Sequence, residues 1–208
     1  MLNYSAVKIS GPETYRLADM EGVLRDLSWT VDLCDQILRR MRRGPRGSTT
    51  ELEAMQAAAL IRYGRCFKGG VRTAFILNED WITKLPPDLQ AAHRDFEILR
   101  DKHIAHSVND WELNIPVAVL HRDSEKETVE VVNVSVKHHR ILTIGDDSIE
   151  ELRKLADTLM RMIKAQFEEE RQRVLNIAKQ IPVEELEQRL SAPEARPGTK
   201  PLDDPRGR

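Results

Sequence analysis

Five residues with charged or titratable side chains lie close together near the middle of the chain. The stretch FEILRDKHIAHSVND contains Arg100, Asp101, Lys102, His103 and His106. A guanidinium binds phosphate through paired hydrogen bonds and keeps its charge at any working pH. An imidazole titrates near neutrality and can remove a proton from a hydroxyl, and a neighbouring carboxylate can orient either group. These residue types can cleave RNA without a metal, because the ribose 2′-hydroxyl supplies the nucleophile.

The two histidines differ in how well they suit this reaction. The reaction needs a base at the 2′-hydroxyl and an arginine that stabilises the charge on the phosphoryl oxygens. Six residues of regular α-helix turn by about 600°, so Arg100 and His106 point about 120° apart. His106 therefore requires the helix to unwind or bend near Ala105, or a second subunit to supply part of the site. His103, three residues after Arg100, shares its face more closely, and helical geometry alone favours it.

A helix that begins near Pro87 must position this cluster. Its apolar residues are Leu89, Ala92, Phe96 and Leu99, and the same spacing continues into His103 and His106. This pattern indicates that the histidines face a partner surface. The simpler interpretation is a solvated helix end, where each cation contributes about 0.3–1 kcal/mol through the helix dipole.

Two longer helical segments precede this one. The first begins at Pro12 and ends in RRMRR before Gly44 and Pro45. The second begins in STTELEA, has an apolar stripe that runs to Phe67, and is broken by Gly69 and Gly70. Proline at a helix start and glycine beyond a helix end fit these bounds. The sequence VRTAFIL suggests a further short helix, and NEDWITKLPP suggests a loop.

The hydrophobic period changes after the cluster. NIPVAVLHR and ETVEVVNVSV predict a β-hairpin, and RILTI suggests a third short strand. A long helix is predicted next, in GDDSIEELRKLADTLMRMIKAQFEEERQRVLNIA. Ser148 and Glu151 are predicted to form its capping box, and a short helix is predicted after Pro182. We therefore predict a mainly α protein: an up-and-down helical bundle with a small antiparallel β-hairpin inserted before the last long helix.

The bundle is predicted to form one domain over residues 1–190, with the β insertion at about residues 114–144. Residues 191–208 are rich in proline and glycine and are predicted to be disordered. Cys34 and Cys66 stand far apart and are interpreted as reduced core thiols. Because we find neither a signal peptide nor an apolar run of membrane-spanning length, the cytoplasm is the predicted location and no membrane contact is expected.

RNA binding would depend on a local basic patch, because the formal net charge is −2. The segment RRMRRGPR has no acidic residue among its arginines, which are Arg39, Arg40, Arg42, Arg43 and Arg46. This segment is either a phosphate-binding patch for RNA or a helix end whose cations interact with the dipole and with water.

A metal site is not predicted. His103 and His106 would provide two ligands, whereas zinc takes three or four. We also find no Glu-x-x-His motif of the di-iron bundles and no glycine-rich phosphate loop. No cofactor is expected.

The segment LRDKHIAHS resembles the signature of HEPN domains, in which an arginine and a polar residue are followed, after a short spacer, by a histidine. Arg100, Asp101 and His106 fit this order, with five residues between Arg100 and His106, whereas His103 follows too closely. The resemblance covers the bundle, roughly residues 12–180, and the predicted hairpin is similar to that of abortive-infection-type members.

The resemblance implies a homodimer whose two motifs face each other across a cleft and act as a metal-independent endoribonuclease. Arg100, Asp101 and His106 would be its catalytic residues, and Lys102, His103 and the arginines at 39, 40, 42 and 43 would contact RNA. Such proteins often act as toxins or phage-defence effectors, in which case a separate antitoxin chain could cover the cleft. Some HEPN relatives are inactive, so the alternative is a non-catalytic dimeric module that binds a partner protein or nucleic acid.

Overall fold

The computed structural model describes residues 5–42, 49–70, 72–101, 113–123, 128–139 and 144–190. Within these ranges there are six helices and two strands, in the order α1 Pro12–Arg42, α2 Thr49–Gly64, α3 Glu79–Ile82, α4 Pro87–Leu99, β1 Leu113–Asp123, β2 Thr128–His139, α5 Asp146–Ala178 and α6 Val183–Leu190. The predicted fold class is confirmed, because the chain is mainly helical and an antiparallel hairpin precedes the last long helix.

The longest helices, α1 and α5, make the most extensive helix–helix contact among the described elements. They run antiparallel, since Arg153 contacts Asp35 near one end and Arg173 donates to the carbonyl of Glu13 near the other. Both helices bury an apolar stripe, which includes Leu27 and Ile37 on α1 and Leu155 and Leu159 on α5. Full burial of one such side chain stabilises the fold by about 1.5–3 kcal/mol.

The connection between α2 and α4 differs from its prediction. Residues 72–78 are not helical, so the helix expected in VRTAFIL is wrong. Instead, the buried Asp19 carboxylate accepts the backbone N–H groups of Ala74 and Phe75 at 2.8 and 3.3 Å, which fixes an extended segment beside α1. The loop expected in NEDWITKLPP contains the short helix α3, because Trp81 buries its indole in the core.

The start of α5 also differs in detail. Gly145 is the N-cap residue and the helix begins at Asp146, so the capping box predicted for Ser148 and Glu151 is wrong. Two acidic residues, Asp146 and Asp147, occupy the first turn, where the helix dipole favours negative charge. The short helix predicted after Pro182 is confirmed as α6.

The hairpin lies outside the core. Its strands pair from Leu113↔His139 to Asp123↔Thr128, with a bulge in the register after Val119. Neither strand makes extensive contact with a helix, and apolar side chains such as Val134 are exposed. The chain returns to the bundle at Ile144, whose N–H and carbonyl group bond the side chain of Gln56 at 2.9 and 3.0 Å. Most of the third strand expected in RILTI, and the tail 191–208, lie outside the described residues.

Both cysteines are free and buried, as predicted. Burial, the largest effect, raises the pKa of Cys34 to about 12 and that of Cys66 to about 12. These thiols stay protonated and act as small apolar side chains in the core.

Candidate functional site

The first two residues of the predicted motif lie where α4 ends. Arg100 follows Leu99 and donates its backbone N–H to the carbonyls of Phe96 and Glu97. Arg100 keeps α-helical backbone angles, so its side chain is positioned by the end of the helix. The separation of about 120° expected for Arg100 and His106 assumes a regular α-helix, which ends at Leu99. Lys102, His103 and His106 lie outside the described residues.

The Arg100 side chain is held between two neighbours. Its Cγ, Cδ and Nε lie over Gly64, at 3.3 Å from the position that a Cβ would occupy there. Its guanidinium donates to the Asp101 carboxylate, and Lys68 Nζ stands 3.7 Å from the other oxygen of that carboxylate. The Arg100 side chain keeps 27% of its surface exposed, which leaves it accessible to an anion.

The charges around Asp101 define its chemical role. The hydrogen bond from Arg100, and then the nearby Lys68, lower the pKa of Asp101. Asp101 is therefore a carboxylate at neutral pH and has no proton to donate. It can orient the Arg100 guanidinium, which is one of the two roles that the sequence analysis left open for it, and its part in catalysis stays a prediction.

A histidine that the sequence analysis missed lies on the same helix. The buried His93 contacts the Tyr63 hydroxyl through Nδ1 at 2.7 Å and the Glu97 carboxylate through Nε2 at 3.4 Å. Burial lowers the pKa of His93, so the ring is neutral at neutral pH. Of these two contacts, the one between Nδ1 and the Tyr63 hydroxyl is a hydrogen bond, and Glu97 lies within ion-pair range of Nε2. His93 fixes α4 against α2 seven residues before Arg100, which places both residues on nearly the same face.

The basic segment predicted to bind RNA lies far from Arg100. Arg40 pairs with Glu51, which lies in the first turn of α2. Arg100 contacts Gly64, which is the last residue of the same helix. The rise along α2 between these two positions is about 20 Å. Arg39 and Arg42 line an open cavity of about 300 Å³, whose other lining residues are Asp35, Leu38, Glu150 and Arg153. The structure does not bring these arginines to the motif, and Arg43 lies outside the described residues.

A second basic cluster lies beside the motif and was also missed. The end of α2 and the chain after it carry Arg62, Arg65, Lys68 and Arg72. Lys68 contacts Asp101, and the three arginines contact Asp26 on α1. The sequence contained a signal for this cluster, because residues 54–78 include four cations and no acidic residue.

Within the described ranges, no group of three or more His, Cys, Asp or Glu side chains is arranged to hold a metal ion. The helices in these ranges include none with the length and apolar character of a membrane span. Comparison with protein-family models, curated proteins and solved structures gives no match to this chain.

Proposed function

We propose that this protein is a homodimeric, metal-independent endoribonuclease of HEPN type. The observation that supports the proposal most is the setting of Arg100. The permanently charged guanidinium of Arg100, at the end of α4, lies over Gly64 of α2, is oriented by an ionised Asp101 and remains partly exposed. This is the arrangement that an anion-stabilising group requires, because a fixed donor needs little reorganisation when charge develops on the substrate.

In the proposed reaction, His106 removes the proton from a ribose 2′-hydroxyl. The resulting oxygen attacks the adjacent phosphorus, the bond to the 5′-oxygen breaks, and that oxygen leaves and takes up a proton. The products are a 2′,3′-cyclic phosphate and a 5′-hydroxyl. Arg100 stabilises the charge on the phosphoryl oxygens, and Asp101 keeps the guanidinium in place. Two copies of the motif would face each other across the dimer cleft, with Lys102 and His103 contacting the RNA.

The resemblance to HEPN domains also suggests a cellular role. We infer that the protein acts in the cytoplasm as a toxin or phage-defence effector, and that a separate antitoxin chain could cover the cleft. This role rests on the motif of Arg100, Asp101 and His106.

The test is cleavage of a single-stranded RNA oligonucleotide in the presence of EDTA. We expect cleavage that leaves cyclic-phosphate ends, and no cleavage of the matched DNA, which lacks the 2′-hydroxyl. Arg100→Ala and His106→Ala should each lower the rate by about 100-fold or more, in the range for loss of a charge-stabilising donor or a general base. His121→Ala on the exposed hairpin is the matched control and should cleave normally. Loss of cleavage in EDTA, or normal cleavage by His106→Ala, contradicts the proposal.

The second candidate is a non-catalytic dimeric module that binds a partner protein or nucleic acid. The hairpin favours it, because exposed apolar side chains on two unpacked strands are typical of interaction surfaces. This candidate predicts no RNA cleavage at any protein concentration, together with a dimer that persists in Arg100→Ala. Light scattering and the cleavage assay on the same preparation distinguish the two candidates.

A further inference from the structure

A buried carboxylate on α1 collects three guanidinium groups. The Asp26 side chain is 2% exposed, and its oxygens lie 2.8 Å from Arg62 Nη1, 2.5 Å from Arg72 Nη2 and 3.5 Å from Arg65 Nε. Arg72 also donates to the carbonyls of Gly22 and Arg65, at 3.0 and 3.2 Å. One negative charge thus fixes three positive ones, and the cluster keeps a surplus of positive charge.

An exposed tryptophan lies against this cluster. Trp29 follows Asp26 by three residues on α1, and 49% of its surface is exposed. The Arg62 guanidinium stacks over the indole, 4.1 Å from the ring centroid. Arg62 therefore connects the buried carboxylate to an aromatic surface. A stacked arginine and tryptophan offer a flat aromatic face beside a cation. A nucleotide has the complementary features, a flat base that can stack and an anionic phosphate.

The basic side chains continue from Trp29 towards the motif. Arg65 lies in the turn that follows Gly64, the last residue of α2, and Lys68 comes directly after that turn. Lys68 contacts Asp101, and Gly64 contacts Arg100. Arg65 is half-exposed, and besides Asp26 the acidic position nearest to Trp29 along α1 is the exposed Asp32, three residues later. We name the surface of Trp29, Arg62 and Arg65 the Trp29 surface.

We propose that the Trp29 surface binds single-stranded RNA outside the reaction centre. A phosphate would bind the half-exposed Arg65 guanidinium, and an adjacent base would stack on the face of the Trp29 indole opposite Arg62. Because Asp26 already fixes the arginines, little side-chain freedom is lost when RNA binds. The inference rests on the proposed function for the identity of the ligand, and the basic side chains that lead to Arg100 give the strand a path to the motif.

The experiment measures binding without cleavage. The full-length His106→Ala protein is titrated into a fluorescein-labelled, unstructured RNA 20-mer with EDTA present, and anisotropy gives the Kd at several salt concentrations. Trp29→Ala should weaken binding roughly 5- to 150-fold, the range for loss of one stacked base. Trp29→Phe, which keeps an aromatic face, should recover most of the affinity. Arg65→Gln should weaken binding and reduce the salt dependence of the Kd, because one phosphate contact is lost.

Arg161→Gln on α5 is the matched control, because Arg161 is a more exposed arginine that also pairs with an acidic residue. It should bind RNA like the parent protein, and circular dichroism should show the same fold for every variant. A Kd for Trp29→Ala within twofold of the parent value overturns the inference. If that variant keeps its RNA affinity but no longer forms the dimer, the surface is a protein contact and the inference is again wrong. RNA binding that depends on Trp29 without any cleavage by the wild-type protein would uphold this inference and refute the proposed nuclease.

Discussion

The Arg100 side chain lies over Gly64 at the place where a Cβ would stand, so the position of the proposed catalytic guanidinium depends on the absence of a side chain at residue 64. A Cβ there would stand 3.3 Å from three Arg100 side-chain atoms, closer than an ordinary van der Waals contact. Gly64→Ala should therefore shift the guanidinium by a few tenths of an ångström. We expect RNA cleavage to fall by about tenfold, since a displacement of 1 Å can cost about 100-fold.

The stability of this variant should not fall with its activity. Gly64 is the last residue of α2, and alanine is the better helix former by up to about 1 kcal/mol, which offsets the close contact. Gly69→Ala is the control, because a Cβ at residue 69 meets no atom within 4 Å. Urea unfolding and the cleavage rate are measured for both variants. Equal rates for Gly64→Ala and the wild-type protein would show that the packing does not position Arg100.

The Asp26 cluster should stabilise the fold far more than a surface ion pair does. Asp26→Asn removes the charge that three arginines share in a buried position, and we expect a loss of about 3–5 kcal/mol in the free energy of unfolding. Asp35 and its partner Arg153 are both partly exposed, so Asp35→Asn should lower the free energy of unfolding by at most about 1 kcal/mol. Chemical denaturation of the two variants provides the comparison. Similar losses for both would mean that burial adds nothing to the Asp26 pairs.

His93 should make the protein less stable in mild acid. Because burial lowers its pKa in the folded state, the unfolded chain, with a pKa of about 6.5, binds the proton more readily. Stability is therefore full above about pH 6.5 and falls below it, by at most about 1.4 kcal/mol per pH unit for one group. Thermal unfolding between pH 7.5 and 5.5 measures this slope. His93→Gln should lose most of it, whereas His121→Gln on the exposed hairpin should retain it.

The hairpin should contribute little to the stability of the bundle. Val134 is 68% exposed, so Val134→Ala should change the free energy of unfolding by no more than about 0.5 kcal/mol. Leu159 is fully buried in α5, and Leu159→Ala should cost about 2–5 kcal/mol. Denaturation at low protein concentration, where association is weakest, makes the comparison. A loss at Val134 close to that at Leu159 would show that the strand packs on the core in solution.

The helices that sequence reasoning placed well are those with a long apolar period. The apolar stripes of α1 and α5 extend over many turns, and a repeat of that length seldom matches helical spacing by chance. The segment after α2 was misjudged because its conformation depends on Asp19, more than 50 residues earlier, which accepts two of its N–H groups. Local propensity contains no information about such a partner.

The candidate site was predictable only in part. Arg100 and Asp101 could be paired from their adjacency, and their hydrogen bond agrees with that expectation. The acid-free run that contains Arg62 and Arg65 was visible in the sequence, but its meeting with Asp26 and Trp29 requires the packing of α2 on α1. His93 was missed because a single histidine beside an apolar stripe gives no sign of whether a tyrosine will lie opposite it.

The pairing of α1 with α5 also affects how the protein is made. During synthesis, α1 leaves the ribosome more than 100 residues before the helix that covers its apolar face. Until then the part of α1 that packs on α5 stays exposed, and exposed apolar side chains bind chaperones or aggregate. The polypeptide therefore completes its tertiary structure only after translation has passed α5. Any activity that needs the folded bundle begins only when synthesis of the chain is almost finished.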